Sequence, residues 1–225
     1  MKFIKPIVAG AAIIAAFALP ATVLAQDDPE ISFDGLVPVE GARAAMAYID
    51  PEADFSVFQR VAIVDPFVAF RSNWKRDQNR SRSRNLRAGD VERIQEDVAD
   101  LFRNVFIEQL EAAGYHVVNE AADDVLVLRP AIIDLDITAP DVRTPGRSRT
   151  YTASTGAATL YIHLVDSITG DVIGRAADRR VARQAGGMLS WSNRVTNNAE
   201  ARRMFRRWAD QLVTFLDEQY GVKPT

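Results

Sequence analysis

The chain has 225 residues, with 27 Lys+Arg against 30 Asp+Glu and a formal charge of −3. Its 48% hydrophobic and 25% charged fractions are those of an ordinary globular protein. With no Cys and two His (His116 and His163), it excludes disulfides, iron–sulfur clusters, Cys-ligated zinc, a thiol nucleophile and a poly-His metal centre.

Lys2 and Lys5 precede an apolar stretch from Ile7 to Leu19, then Pro20 and the ending Val23-Leu24-Ala25. This order predicts a secretory signal peptide cut between Ala25 and Gln26, its core too short for a comfortable membrane span; the alternative is an N-terminal anchor that stays uncleaved. The expected mature chain has 200 residues and net charge −5. It would lack a transmembrane span and, without Cys, an acylated N-terminal cysteine, and its expected location is the periplasm. Charge is uneven along it: residues 26–70 sum to −7, 71–87 to +6, 88–142 to −10 and 143–225 to +6. Such asymmetry bears on partners more than the small total does.

In chain order, residues 26–47 are expected to form an acidic, poorly ordered lead-in, and 48–225 a single domain. Arg60 to Val64 reads as a strand, apolar on both faces and therefore central in a covered sheet. It ends at Asp65-Pro66, and Phe67 to Phe70 continues extended. Residues 71–87 lack apolar periodicity and are expected to be a long basic loop. Asp90 can cap a helix to about Ala113, with Gly114 as its stop and Ile94, Val98, Leu101, Val105 and Leu110 on one face. Tyr115–Asn119 and Val125–Ile137 read as strands. Pro130 should leave the second bent, bulged or at an edge, with Ala131, Ile133, Leu135 and Ile137 on one face. Ala157–Val165 and Asp171–Arg183 form a hairpin about Asp166–Gly170. Asn197 and Glu200 resemble a capping box opening a last helix to about Gln219, its apolar face Ala201, Phe205, Trp208, Leu212 and Phe215. The expected fold is α/β (α+β): two layers, a mixed sheet of about five strands with two helices on one face, in the order β-α-β-β-β-β-α.

Several segments together carry a resemblance. They are Ala53-Asp54-Phe55-Ser56 leading into Val61-Ala62-Ile63-Val64-Asp65-Pro66, Tyr115-His116-Val117-Val118, and Val125-Leu126-Val127-Leu128-Arg129. Leu164-Val165-Asp166-Ser167-Ile168-Thr169-Gly170, Ala177-Asp178-Arg179-Arg180 and Trp208-Ala209 complete the set. Over residues ~48–219 the chain resembles domain-of-unknown-function family 3313. The resemblance implies a Gram-negative envelope protein. Members are often lipoproteins, a pattern from which this chain departs by having no Cys. More loosely, the strand–helix–strand order is similar to periplasmic α/β modules of curli-secretion and Tol-type assemblies, a fold-level analogy that carries no chemistry.

The strongest candidate for binding is the basic stretch, with Arg71, Trp74, Lys75, Arg76, Arg80, Arg82, Arg84 and Arg87 in 17 positions. Such a stretch suits an anionic glycolipid or glycan, or the acidic face of an envelope protein. Its bland alternative is a solvated loop balanced by Glu92, Glu96, Asp97 and Asp100. Arg202, Arg203, Arg206 and Arg207 crowd the first half of the last helix, where its dipole disfavours cations. They either pair locally (Arg206 with Asp210, Arg203 with Glu200) or extend the basic surface. Nucleic acid is a poor partner for an exported chain of negative total charge. The alternative is a metal-assisted hydrolase built on His163 with Asp134, Asp136 and Asp178. Asp178 and Arg180 join the face of Tyr161 and His163 if the hairpin register pairs Asp166 with Asp171. No nucleophile elbow, Walker A or dinucleotide motif is present, so the reading leans away from an enzyme and calls for no cofactor.

Overall fold

The computed structural model describes residues 34–80, 85–137, 139, 156–181 and 194–220. The chain begins with β1 (Val37–Pro38), β2 (Met46–Ile49), a 3-10 turn (Phe55–Val57), β3 (Arg60–Ile63) and β4 (Phe67–Phe70). Helices α1 (Trp74–Arg80) and α2 (Ala88–Ala112) follow. Then come β5 (His116–Val118), β6 (Val125–Asp136), β7 (Ala157–Asp166), β8 (Val172–Val181) and α3 (Arg194–Tyr220). The class is α/β with a mixed sheet, as expected. Among the described residues, however, the sheet has eight strands where about five were expected, and α1 is a third helix.

The extra strands are β1, β2 and β4. Strands of two to four residues carry little alternation, and where no longer apolar run flags them, as Arg60 to Val64 flags β3, only pairing defines them. β2 runs antiparallel to β8, with Met46 opposite Ala177, and β1 pairs β2. Residues 37–38 and 46–47, expected within the lead-in, therefore belong to the sheet. The strand order is β1-β2-β8-β7-β6-β3-β5, and β4 lies beside β6 beyond the end of β3. Pro130 falls between the last β3 partner, Leu128, and the first β4 partner, Ala131, where β6 changes neighbours on that side.

Ile94, Val98, Phe102, Val105, Phe106 and Leu110 form the buried stripe of α2, recurring at three and four residues. Asp90 works one turn inside the helix: its Oδ2 accepts the Arg87 N–H at 2.9 Å. Gly114, at φ +94°, closes α2 in a left-handed turn, with Tyr115 N–H donating to Leu110 O at 2.9 Å. α2 connects β3 to β5, which run parallel, so it is the crossover that parallel strands require.

Two irregularities decide which side chains face the helices. Asp134, at φ +51°, lies at a register shift between Ile133 and Asp136, so Leu135 is buried and shares the helix-side register with Ile132. The expected common face of Ala131, Ile133 and Leu135 is corrected there. In the hairpin, Val165 opposes Val172 but Leu164 opposes Gly174, leaving Ile173 as an extra residue. A one-residue slip moves every later side chain to the other face. Asp178 therefore opposes Leu160, not a neighbour of His163.

One hydrophobic cluster holds the layers together. Val61, Leu128, Ile132, Leu160 and Ile162 from the sheet meet Phe102, Val105 and Phe106 of α2 and Phe205, Trp208 and Leu216 of α3. Phe102 stacks on Phe106 and meets Phe205 edge-on, with centroids 3.9 and 5.3 Å apart. Among the described residues, no helix is long and apolar enough to cross a membrane.

Candidate functional site

The basic stretch is not one long loop. Phe70 and Trp74 stack with centroids 3.7 Å apart and planes within 9°, and the indole Nε1 donates to Ile137 O at 2.7 Å. Trp74 is 1% exposed, so it anchors α1 in the core and does not serve as a surface platform. Arg71 is also turned inward. Its Nη1 donates to Asp77 Oδ2 at 2.8 Å, and its Nε lies 2.8 Å from Asp136 Oδ2 without the alignment of a hydrogen bond. Hydrogen bonding to Arg71 chiefly holds the Asp77 carboxyl below its usual range. Arg80 and Arg76 approach the same carboxylate at 3.5 and 3.8 Å.

With Trp74 fixed, the short helix presents Lys75, Arg76 and Arg80 to solvent. A shallow hollow there is lined by Asn73, Lys75, Arg76, Asn79 and Arg80. Every one of these side chains offers N–H donors and no carboxylate lines the hollow. Asn79 is held in place by accepting the Leu86 N–H at 2.8 Å. Arg87 is exposed at the start of α2. Arg82 and Arg84 lie outside the described residues, as do Ala25 and Gln26 of the expected cleavage site.

The four arginines of α3 divide. All four are exposed, but Arg206 donates to Glu108 Oε1 of α2 at 3.1 Å and Arg202 lies 3.9 Å from the same carboxylate, whereas Arg203 and Arg207 point elsewhere on the helix surface. Interhelical pairing with Glu108 thus takes the place of the expected contact between Arg206 and Asp210. Because α3 starts at Arg194, these arginines lie more than two turns inside it, beyond the first turn where the dipole disfavours cations.

The metal-hydrolase constellation is not assembled. His163 faces the open side of the sheet, and Asp178 faces the helices, where Trp208 Nε1 donates to it at 2.9 Å and Ala45 N–H at 3.3 Å. Asp136 is tied to Arg71. Asp134 sits on the β6 bulge. Among the described residues, no group of three or more His, Asp or Glu could hold a metal ion.

The open face holds a feature that composition could not reveal. Tyr48, Arg175, His163 and Arg129 are register partners in β2, β8, β7 and β6, forming one row across four strands. Arg175 binds Asp34 at 2.7 Å and lies 5.0 Å from the centre of the Tyr48 ring. Burial, then the charges of Arg175 and Arg129, push the His163 pKa down. The adjacent row is apolar: Met46, Ala177, Tyr161, Ala131 and Phe67. Alternation along each strand was legible, but the alignment of rows needed the register.

Residues 25–212 match the family described as "Protein of unknown function (DUF3313)", and the chain belongs to that family. No curated protein matches it. Among solved structures it is similar to a PelC dodecamer from Paraburkholderia phytofirmans, with 13% identity, 71% of this chain and 91% of that chain covered, and a TM-score of 0.38. A DUF330-family protein from Xanthomonas campestris shows 12% identity, 81% and 93% coverage and a TM-score of 0.39. A minor lipoprotein from Acinetobacter baumannii shows 11% identity, 73% and 95% coverage and a TM-score of 0.32.

Proposed function

We propose that the chain is an exported, single-domain, non-enzymatic module of the Gram-negative cell envelope that holds an anionic partner on the basic surface of α1. The supporting observation is the hollow lined by Asn73, Lys75, Arg76, Asn79 and Arg80, where donors converge without a lining carboxylate. Trp74 fixes the backbone beneath it, so the cations are presented from an ordered element and lose less entropy on binding. Arg203 and Arg207 add exposed positive charge on α3. The signal-like N-terminus and the resemblance to envelope proteins support a periplasmic location for this module.

The test is site-specific photocrosslinking in intact cells from a benzoyl-phenylalanine at Lys75. Trp74 is unsuitable for the probe because it is core. The expected result is one recurrent envelope adduct, lost when Arg76→Glu and Arg80→Glu are combined. An adduct indifferent to that charge reversal, or none above background, overturns the reading.

A further inference from the structure

Toward the C-terminal half of α3 the two layers part. Trp208, Gln211, Leu212, Phe215 and Glu218 lie at helical spacing on one side of α3 and line a cavity of about 130 Å³ against the sheet. Its floor is made by Ala47 and Ala176, cross-strand partners in β2 and β8. On the next strand the same face carries Leu160, Ile162 and Leu164, which are buried and line the same cavity. Gly174 does not enlarge the cavity, because a Cβ there would meet Leu164 Cδ1 at 3.2 Å. The sheet side of the cavity therefore combines two small alanines with three buried aliphatic side chains.

A strap of residues 39–45 roofs the space: Val39 N–H donates to Ala47 O at 3.0 Å at its start, and it is pinned at two further points. Gln211 Nε2 donates to Arg43 O at 2.8 Å, and Ala45 N–H donates to Asp178 Oδ1 at 3.3 Å. Phe106 and Trp208 at one end are fully buried, whereas Glu218 at the other is exposed. Ala47, Ala176 and Phe215, on the helix-covered side of the sheet or on α3 facing it, are only half-buried.

The shape selects the ligand. From Trp208 to Glu218, α3 rises by about 15 Å. A cavity of 130 Å³ stretched along that length is a narrow slot, suited to a linear chain and too thin for a fused ring system. Apolar cavities of comparable volume, lined by aliphatic and aromatic side chains, take up small hydrocarbons. The rim carries Glu40 and Glu218 against Arg43. Two acids and one base at the mouth disfavour an anionic headgroup and admit one that is neutral or zwitterionic.

We infer that the slot between α3 and the β8–β2 end of the sheet binds a dispersed single-chain amphiphile, its alkyl chain along α3 and its uncharged or zwitterionic head at Glu218. This site is separate from the α1 hollow and does not rest on the function proposed for it. Opening of the strap, which three hydrogen bonds tie to the sheet and α3, makes entry reversible. Ala44, Ala47 and Ala176 act as specificity residues: each keeps the slot open by being small.

The experiment is calorimetric titration of the full chain with dodecylphosphocholine and with dodecyl maltoside, each below its micelle concentration, and with maltose alone. Saturable one-to-one binding of both dodecyl probes and none of maltose is expected. Ala176→Leu fills the slot from the floor and Ala44→Leu from the roof. Each should weaken both probes at least tenfold with an unfolding midpoint equal to or above that of the native chain. Arg76→Glu with Arg80→Glu should bind both probes as the native chain does, which separates this site from the basic hollow. Absence of saturable binding by the native chain, or affinity unchanged in folded Ala176→Leu and Ala44→Leu, overturns the inference. So does binding only to phosphatidylcholine vesicles, which would place the affinity on the surface.

Discussion

Trp208 on α3 donates its indole N–H to Asp178 Oδ2 on β8 at 2.9 Å, so a carboxylate on the helix-covered face joins the last helix to the sheet. Arg180 Nε and the Ala45 N–H donate to the same carboxylate. Asp178→Ala strands these donors in a half-buried place, and its expected cost is about 1–3 kcal/mol. Asp178→Asn keeps one acceptor and should cost less. Urea unfolding of the two variants checks both magnitude and order. A loss below half a kilocalorie in Asp178→Ala would show that the three bonds carry little.

The inward turn of Trp74 separates two kinds of change within one short helix. Trp74→Ala removes a fully buried indole stacked on Phe70 and is expected to cost about 3–5 kcal/mol. Lys75→Glu and Arg76→Glu, on the exposed side, are expected to stay within about 0.5 kcal/mol of the native chain. Thermal melts measure the contrast, and equal effects at positions 74 and 75 would contradict the anchoring role.

Two glycines in and after α2 should respond oppositely. An added Cβ at Gly89 or Gly114 meets no atom within 4 Å, so packing is not at stake at either. Gly114 sits at φ +94°, and Gly114→Ala is expected to destabilise by about 1 kcal/mol. Gly89 lies inside the first turn of α2, where Gly89→Ala should stabilise by up to about 0.5–1 kcal/mol. Chemical denaturation of the pair gives the sign directly.

His163 and the paired carboxylates divide the acid side of the stability profile. The His163 pKa is pushed below 6.5 by burial, then by Arg175 and Arg129, with Asp34 opposing. The unfolded chain thus takes up a proton that the fold resists, so stability falls as pH drops below about 6.5. Asp77 and Asp124 are held below 3.8, mainly by hydrogen bonds from Arg71 and Arg60. Their contribution is complete above that value and disappears as pH falls through their folded values. His163→Gln should abolish the first decline and leave the second. Melting temperatures from pH 8 to pH 3 test it, and a native-like decline near pH 6 in the variant would contradict the assignment.

Long periodic segments were legible from sequence because burial writes a repeating pattern into them. α2 and the β7–β8 hairpin fall within a few residues of expectation for that reason, whereas the short β3 was legible as an unbroken apolar run. α1 was hidden because its one core residue, Trp74, makes no period on its own among charged neighbours. β1 and β2 are too short to alternate, and β8 is what makes them strands. The candidate site was harder. Which face Asp178 occupies depends on the extra Ile173, and no composition or spacing announces a bulge of one residue. The basic stretch was visible as charge, but its division into inward Arg71 and Trp74 and outward Lys75, Arg76 and Arg80 required the fold.

The partnership of β2 with β8 also has a temporal side. Met46 pairs with Ala177, so the first long edge of the sheet is completed only when one of the last strands arrives. Synthesis delivers the N-terminal residues first, and contacts this distant in sequence close slowly. A chain interrupted before residue 172 would leave residues 34–49 without their neighbour, open to any protease that meets them. Resistance to cleavage in that segment therefore reports that the C-terminal third has been made and has docked.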